Sequence, residues 1–540
     1  MLKVLQSKPI ISIVLITILM LAFSVDIIPV SIMEARNFVT AREMIVDGNW
    51  LMTTMNGEAR YEKPPLPTWL TAFFGLLFGL KSLIALRFPA ILFVALIGVF
   101  TFLLSKKILG DSKHSYINAL IAITSFYVIG ITLEAPWDIF THGFMLVGIY
   151  HLFQLFEKQK QYWKHALLAG IFIGCSFLCK GPISMYALML PFLLAYGFTY
   201  RFKGFKQKVF PSMICLVIVL IVGGWWFVYV RLNDPHTFEA IATRETNNWS
   251  NYNIKPFYYY WSFFTQSGLW TIPAFISLLY PYLKSRVSNL KAYRFSLLWT
   301  IVAVVLLSLV PEKKSRYLMP VLIPLAITIG FYIEYLFRRF KDLKDKRETI
   351  PVYFNFGLIG LIAIGFPVAI YIILGEQLEG RWALFILSSI LMLSIGVLII
   401  LQLKKKNMQA VFLLTIGFFV ITFMFGLPLL KPIIGIQNNP INNLEKDGLK
   451  IYGFSNVSPE MIWHYGKTIP EIKFKDGNYE FPDESKFGIL AYDISEKDWK
   501  LIESNYTIKK VDTFDLNTVP KDSKRHNSRL INDYYILTQR

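Results

Sequence analysis

Cysteine is nearly missing from this chain. Its 540 residues hold three, Cys175, Cys179 and Cys215. All three lie inside apolar runs, so neither a disulfide framework nor a zinc motif is available. Cys175 and Cys179, four apart, read as small packing residues. Acidic residues are also few, 36 Asp and Glu against 55 Lys and Arg, for a formal charge of +19. A solenoid period, a low-complexity tract, a P-loop and a dinucleotide fingerprint are all absent, which excludes repeat scaffolds and the commonest nucleotide sites.

Apolar sequence fills the space. The chain is 54% hydrophobic with 45 Phe and 13 Trp, too apolar throughout for a soluble globular protein. Segments near the roughly 20 residues a membrane span needs recur from Ile10 to Pro428. The chain therefore reads as a polytopic α-helical membrane protein lodged in a lipid bilayer.

The excess positive charge would suit nucleic acid, but its placement points elsewhere. Basic residues gather in seven short connectors, Lys3/Lys8, Lys106 to Lys113, Lys158 to Lys164, Arg201 to Lys208, Lys284 to Arg294, Arg338 to Arg347 and Lys404 to Lys406. Together these hold 25 Lys and Arg against five acids, counting Glu157 and Glu348 at their edges. By the positive-inside rule all seven are cytoplasmic. The charge is thus a topology signal, and no nucleic-acid partner is expected.

Two crossings between successive connectors give about 13 spans, near 9–31, 84–105, 114–133, 136–156, 163–180, 183–200, 209–230, 260–282, 294–311, 318–337, 353–374, 382–402 and 409–429. The N-terminus then lies inside and everything after Leu430 outside. The first span runs past 18 apolar residues without a small-residue cleavage pattern, so it reads as a retained helix rather than a signal peptide.

The organisation follows as a membrane part, 1–430, with an outer juxtamembrane loop over 32–83, and an outer domain, 431–540. In the latter, the runs "LKIYGFS", "FGILAYDI", "YTIKKVDTFDL" and "DYYILTQ" alternate with the helical patterns "SPEMIWHYG" and "SEKDWKLIES". That is the pattern of a small α/β domain.

The outer loop is the densest mixture of acid, base and aromatic in the chain. In "MEARNFVTAREMIVDGNW", Ala35, Phe38, Val39, Ala41, Arg42, Met44 and Ile45 follow a helical period that stops at Asp47-Gly48. An amphipathic helix lying in the membrane interface is expected. Pro64, Pro65 and Pro67 break helix propagation, and the short "TWLTAFFGLLFGL" suits an interfacial or re-entrant segment. The platform presents Glu34, Arg36, Glu58, Arg60, Tyr61, Glu62 and Lys63.

Other outer-side features are Arg87, Glu134 and Asp138, Lys180 in "LCKGPIS", Arg244 in the loop 231–259, and Lys313, Lys314, Arg316 and Tyr317 in "PEKKSRYLMP". Ionisable groups at membrane depth are expensive and suggest function by default. Two acids among several fixed cations, all on one side, describe a site for an anionic lipid-linked substrate. Plainer readings stand beside this one. Arg36 and Arg60 can pair with Glu34 and Glu58 on a solvated face, "FYYYW" is an interfacial aromatic belt, and His142 is a packed partner of its neighbours.

The stretches "EARNFVTAREM…DGNW…NGEARYEKPPLPTW" (34–69), "APWDIF" (135–140), "CKGP" (179–182) and "EKKSRYLMP" (312–320), with Arg244 and "PFYYY", resemble the GT-C class of polyprenyl-phosphate-dependent glycosyltransferases. The likeness is to the aminoarabinose (lipid A) transferase branch, related to protein O-mannosyltransferases. It implies a GT-C-like fold of about 13 spans with periplasmic juxtamembrane helices and a periplasmic tail. It also implies a multi-pass enzyme of the bacterial inner membrane with its active site in the periplasm.

The implied reaction moves a sugar, an amino sugar in that branch, from undecaprenyl phosphate to lipid A, a glycan or a protein. The resemblance places Glu34 and Asp138 as the catalytic acids. It places Lys63, Lys180, Arg244 and Lys313 around the donor phosphate, with Arg36, Arg60, Tyr61, Arg87, Arg316 and Tyr317 as further substrate contacts. The family's first loop reads Asp-Glu where this chain has Met33-Glu34. Glu62 matches a zinc-holding position in a relative, which leaves a divalent metal open, but the expected histidine is Ile241 here. No cofactor is otherwise implied.

The chemistry itself is simple. Displacing a polyprenyl phosphate builds negative charge on the leaving phosphate and oxocarbenium character on the sugar, which fixed cations stabilise, while a carboxylate orients or deprotonates the acceptor. Attack opposite the leaving group gives inversion. The rival readings are a protein O-glycosyltransferase with the same donor and a lipid-linked sugar flippase, the latter expected to show internal repeats and mid-membrane breaks.

Overall fold

The computed structural model describes residues 7–540 except 135, 159, 161, 203, 442–447, 455, 456, 476 and 477. The topology residues Lys3 and Lys203 and the first residue of "APWDIF" lie outside the described residues. The chain forms two compact units. One comprises Met1–Val25, Tyr61–Leu70 and Arg87–Leu429, the other Asp26–Arg60, Thr71–Leu86 and Leu430–Arg540.

In the first unit, nine helices among the described residues are long and apolar enough to cross a membrane, or ten when one bent pair counts as a span. Their ends follow the sequence chemistry. Asp111, Asn289, Asp345 and Asn407 cap helix N-termini through their side chains. The basic connectors sit in last turns, with Lys106 and Lys107 closing Leu83–Leu109 and Arg338 and Arg339 closing Leu322–Arg339, where the helix dipole favours cations.

Four of the thirteen expected spans are not single long helices. The expected span 9–31 is helical only over Pro9–Leu21, and the carbonyl of Val25 beyond it accepts from the buried Arg87 guanidinium. The span 114–133 is bent by 42° between Ser112–Ile123 and Phe126–Glu134. At the bend, Thr124 and Ser125 hydroxyls donate to the carbonyls of Leu120 and Ile121, the back-bonding that bends helices. The span 183–200 is a π-turn, Met185–Met189, followed by Leu190–Thr199. Pro191 there lacks the N–H that a regular helix needs. The span 260–282 breaks into four pieces between Phe257 and Leu283, with Gly268 at φ +68°.

Helix Pro136–Glu157 packs along Tyr162–Lys180, which packs along Phe205–Asn233. Small residues allow the approach, as in many membrane helix pairs. A Cβ on Gly174 would lie 2.7 Å from Val222 Cβ, and one on Gly170 2.9 Å from the Cys215 carbonyl. Gly174→Leu is therefore expected to destabilise this unit by about 1–3 kcal/mol through overpacking. Gly224→Ala, where nothing lies within 4 Å, should leave thermal unfolding of the detergent-solubilised protein unchanged.

In the second unit, a four-stranded sheet runs in the order Ile451–Phe454, Lys486–Ala491, Ile531–Gln539, Tyr506–Asp515. The first pair is parallel and the others antiparallel. These are the runs expected as strands, joined by the expected helices Pro459–Tyr465 and Glu496–Asn505. Alternating residues face opposite sides. Ile489, Phe487 and Leu537 meet Ile502 on one face, while Leu490, Phe514 and Tyr534 meet Met461 and Ile469 on the other.

Also in the second unit lies helix Ile32–Val46, opened by a capping box in which Ser31 and Glu34 cap one another's backbone. It stops at Asp47, and Gly48 takes φ +77°, as the sequence implies. Its environment differs from the interfacial expectation. Ala35, Phe38, Val39, Ala41 and Met44 are at most 1% exposed, and Val39 belongs to the core beneath the sheet. The apolar face packs against the C-terminal core at Val39 and against Leu83, Leu86 and Trp463 at Phe38.

Candidate active site

The first unit brings two of the expected charges into direct contact. Asp138 stands in the first turn of Pro136–Glu157 and Lys180 in the last turn of Tyr162–Lys180. Each charge therefore sits at the dipole end that favours it. Their side chains form an ion pair that is 2% and 7% exposed. Asp138 Oδ1 takes the lysine, while the buried Oδ2 accepts no hydrogen bond. One turn on, His142 Nδ1 bonds the Ser184 hydroxyl at 2.9 Å, which makes it a packed partner.

Lys180 continues into a second cluster. Its ammonium stands 5.4 Å over the ring of Tyr317. The Tyr317 hydroxyl donates to Glu312 at 3.1 Å, and Glu312 pairs with Lys314 at 2.5 Å. Lys314 in turn lies 4.9 Å over Tyr252. Arg316 has a buried Nε without a hydrogen-bond partner and lies within electrostatic reach of both Asp138 and Lys180. Backbone pairing of Ile254 with Glu312, and of Asn253 with Lys313, holds this loop.

A third group links residues 61–63 to the helix Pro235–Asn251. Tyr61 donates to Asp234 at 3.1 Å, Glu62 pairs with Arg244, and Lys63 reaches Glu245 at 3.4 Å. Burial and the bond to Asp234 push the Tyr61 hydroxyl up to about 12, so it remains a neutral donor. Hydrogen bonding from Thr237 holds the Asp234 carboxyl below its usual range. Lys63 is within electrostatic reach of Lys180, so the two ammonium groups repel across this site.

The remaining expected residues are engaged as follows. Arg87 is 2% exposed and donates to Val25. Lys313 is 2% exposed and donates to the carbonyls of Lys255 and Val310; burial lowers its pKa. Glu34, Arg36 and Arg60 belong to the second unit. Glu34 is fully buried and accepts from Ser31 N at 3.1 Å. Arg60 donates to the Arg36 carbonyl and to Thr40. Glu62 is occupied by Arg244, Ile241 stands in Pro235–Asn251, and no group of three metal-ligating side chains exists among the described residues.

Sequence reasoning had not singled out Asp234 or Glu245, nor given Glu312 a role. Their signal in the sequence is only charge in loops, because the partners of Asp234 and Glu245 lie 173 and 182 positions away.

Residues 62–226 match the family described as dolichyl-phosphate-mannose-protein mannosyltransferase. A solved structure, ArnT from Cupriavidus metallidurans bound to undecaprenyl phosphate, superposes with a TM-score of 0.68 over 98% of this chain and 97% of that one, at 14% identity. The chain shares the fold of that structure. Among curated relatives, the undecaprenyl phosphate-aminoarabinose transferase 1 of Proteus mirabilis is 26% identical over 343 residues, 61% of this chain and 60% of that protein. The corresponding transferase of Shewanella sediminis is 25% identical over 406 residues, covering 70% and 68%. The match to the Proteus protein thus spans about three fifths of that relative, and the likeness to the solved structure is one of fold.

Proposed function

We propose that this GT-C chain is an integral-membrane glycosyltransferase that moves an amino sugar from undecaprenyl phosphate to lipid A at the periplasmic face, with inversion. The observation that carries the reading is the buried Asp138–Lys180 ion pair, with Lys63 and Arg316 within electrostatic reach of Lys180. Lys180 and Lys63 already pair with Asp138 and Glu245, and as fixed cations they can stabilise the further negative charge that builds on a leaving polyprenyl phosphate. Arg316, with its unpartnered Nε, is available to share that charge, and Arg244 can give a bidentate contact if Glu62 releases it.

Asp138, with one oxygen held by Lys180 and one open, orients the acceptor or binds the sugar amine. Glu34 is the second acid of this reading, as the first-loop resemblance implies. Thirteen crossings with the N-terminus inside, the basic connectors in the cytoplasm and residues 431–540 in the periplasm complete this reading, and the charge distribution supports them. The named relatives act on undecaprenyl phosphate-aminoarabinose, which supports the choice of donor.

The test is transfer by the purified chain in nanodiscs from undecaprenyl phosphate-linked sugars to lipid A and, separately, to unfolded protein. Labelled lipid A is the expected product. Label only in protein would make the enzyme a protein O-glycosyltransferase, and none in either would overturn the reading.

A further inference from the structure

The second unit contains a set of contacts that the proposed chemistry does not use. Helix Ile32–Val46 and the hairpin Thr54–Ala59, the segment carrying Glu34, Arg36 and Arg60, are fastened to residues 459–473. Asn56 exchanges two hydrogen bonds with the backbone of Ile469, its Nδ2 donating to the carbonyl at 2.8 Å and its Oδ1 accepting from the amide at 2.7 Å. The Trp463 ring packs on Phe38 at 5.2 Å. Arg42 donates to the Ile462 carbonyl at 3.2 Å, and Lys473 pairs with Glu58 at 2.7 Å.

Within the loop, a single carboxylate connects helix to hairpin. Glu43, 1% exposed, accepts from the Asn56 amide and the Thr54 hydroxyl, each at 2.6 Å. The hairpin turns through Asn56 at φ +59° and Gly57 at φ +78°, the Asn-Gly combination such turns favour. The Asn56 side chain is thus left to bond Ile469 while its backbone makes the turn. Helix, hairpin and domain are locked together at three separate points, Asn56, Arg42 and Phe38.

We infer that the C-terminal domain is a positioning element for the first outer loop, with Asn56 and Trp463 as its positioning residues: they fix the Glu34–Arg60 segment and so set turnover without touching substrate. This rests on the transferase reading given above. A catalytic group displaced by about 1 Å can cost about 100-fold in rate, so losing either anchor should be visible in kinetics.

Asn56→Gly keeps the left-handed turn and deletes both bonds to Ile469. Trp463→Ala removes the ring, and Trp463→Phe keeps an aromatic contact with Phe38. Each is made in the full chain in nanodiscs, and two quantities are measured: hydrogen–deuterium exchange, and sugar transfer from the undecaprenyl phosphate donor. Asn56→Gly and Trp463→Ala should raise exchange over 32–60 but not over strand 531–539. They should lower kcat by about tenfold to 100-fold with a smaller change in donor KM, and Trp463→Phe should recover most of the rate. Faster exchange throughout 531–539 would mean that the domain merely unfolds, and unchanged kcat in variants with a loosened loop would mean that the loop needs no positioning. Either result overturns the inference. Failure of the wild type to transfer any sugar would instead overturn the transferase reading, leaving exchange to decide whether the domain holds the loop.

Discussion

Asp138→Asn is expected to lower sugar transfer by about 10²–10⁴-fold, the range associated with a positioned acid or base, and also to weaken the fold. The second effect arises because Lys180, 7% exposed, would be left as a buried charge without its partner, a change that costs about 3–5 kcal/mol. The double variant Asp138→Asn, Lys180→Met removes both charges and should restore thermal stability without restoring transfer. Turnover near wild type in the double variant would eliminate the pair from the chemistry. Glu34→Gln makes a parallel separation in the second unit. Glutamine can still accept from Ser31 N and preserve the capping box, so the melting temperature should hold while transfer falls.

Lys63→Met should reduce turnover by about 100-fold, comparable to removing one group that stabilises developing negative charge. Its effect on stability should be small. Lys63 and Glu245 are 22% and 36% exposed, and pairs of that kind contribute about 0–1 kcal/mol. The measurement is steady-state transfer together with binding of undecaprenyl phosphate to the purified protein. Weaker binding with slower turnover is expected, and unchanged values of both would place the leaving phosphate away from Lys63.

Much of this could be read in the sequence because membrane burial restricts where charge can go. Asp138 and Lys180 stood out because each is a lone charge at the end of an apolar run, and the structure pairs them. The C-terminal strands were legible because their alternation has period two, as in the buried run Phe487–Ala491. What stayed hidden depends on long-range geometry. The link from Lys180 through Tyr317 to Glu312 joins positions more than 130 apart. Helix Ile32–Val46 has an apolar face that would suit lipid equally well, and part of the surface that covers it, around Trp463, comes some 400 residues later. The breaks at Thr124 and Gly268 and the π-turn before Pro191 escape hydropathy, which registers apolar length but not hydroxyl back-bonding, a missing N–H or a positive φ.

The second unit draws its parts from both ends of the chain, Asp26–Arg60 and Leu430–Arg540, and this constrains biogenesis. During synthesis the first loop emerges long before the strands that complete its core. At about 5–20 residues per second, the intervening stretch of some 370 residues takes roughly 20–75 s to translate. Throughout that interval Val39 lacks the strands, and Phe38 the Trp463 ring, that later pack on them, so the nascent chain must shelter both against lipid or a chaperone until the tail has been made.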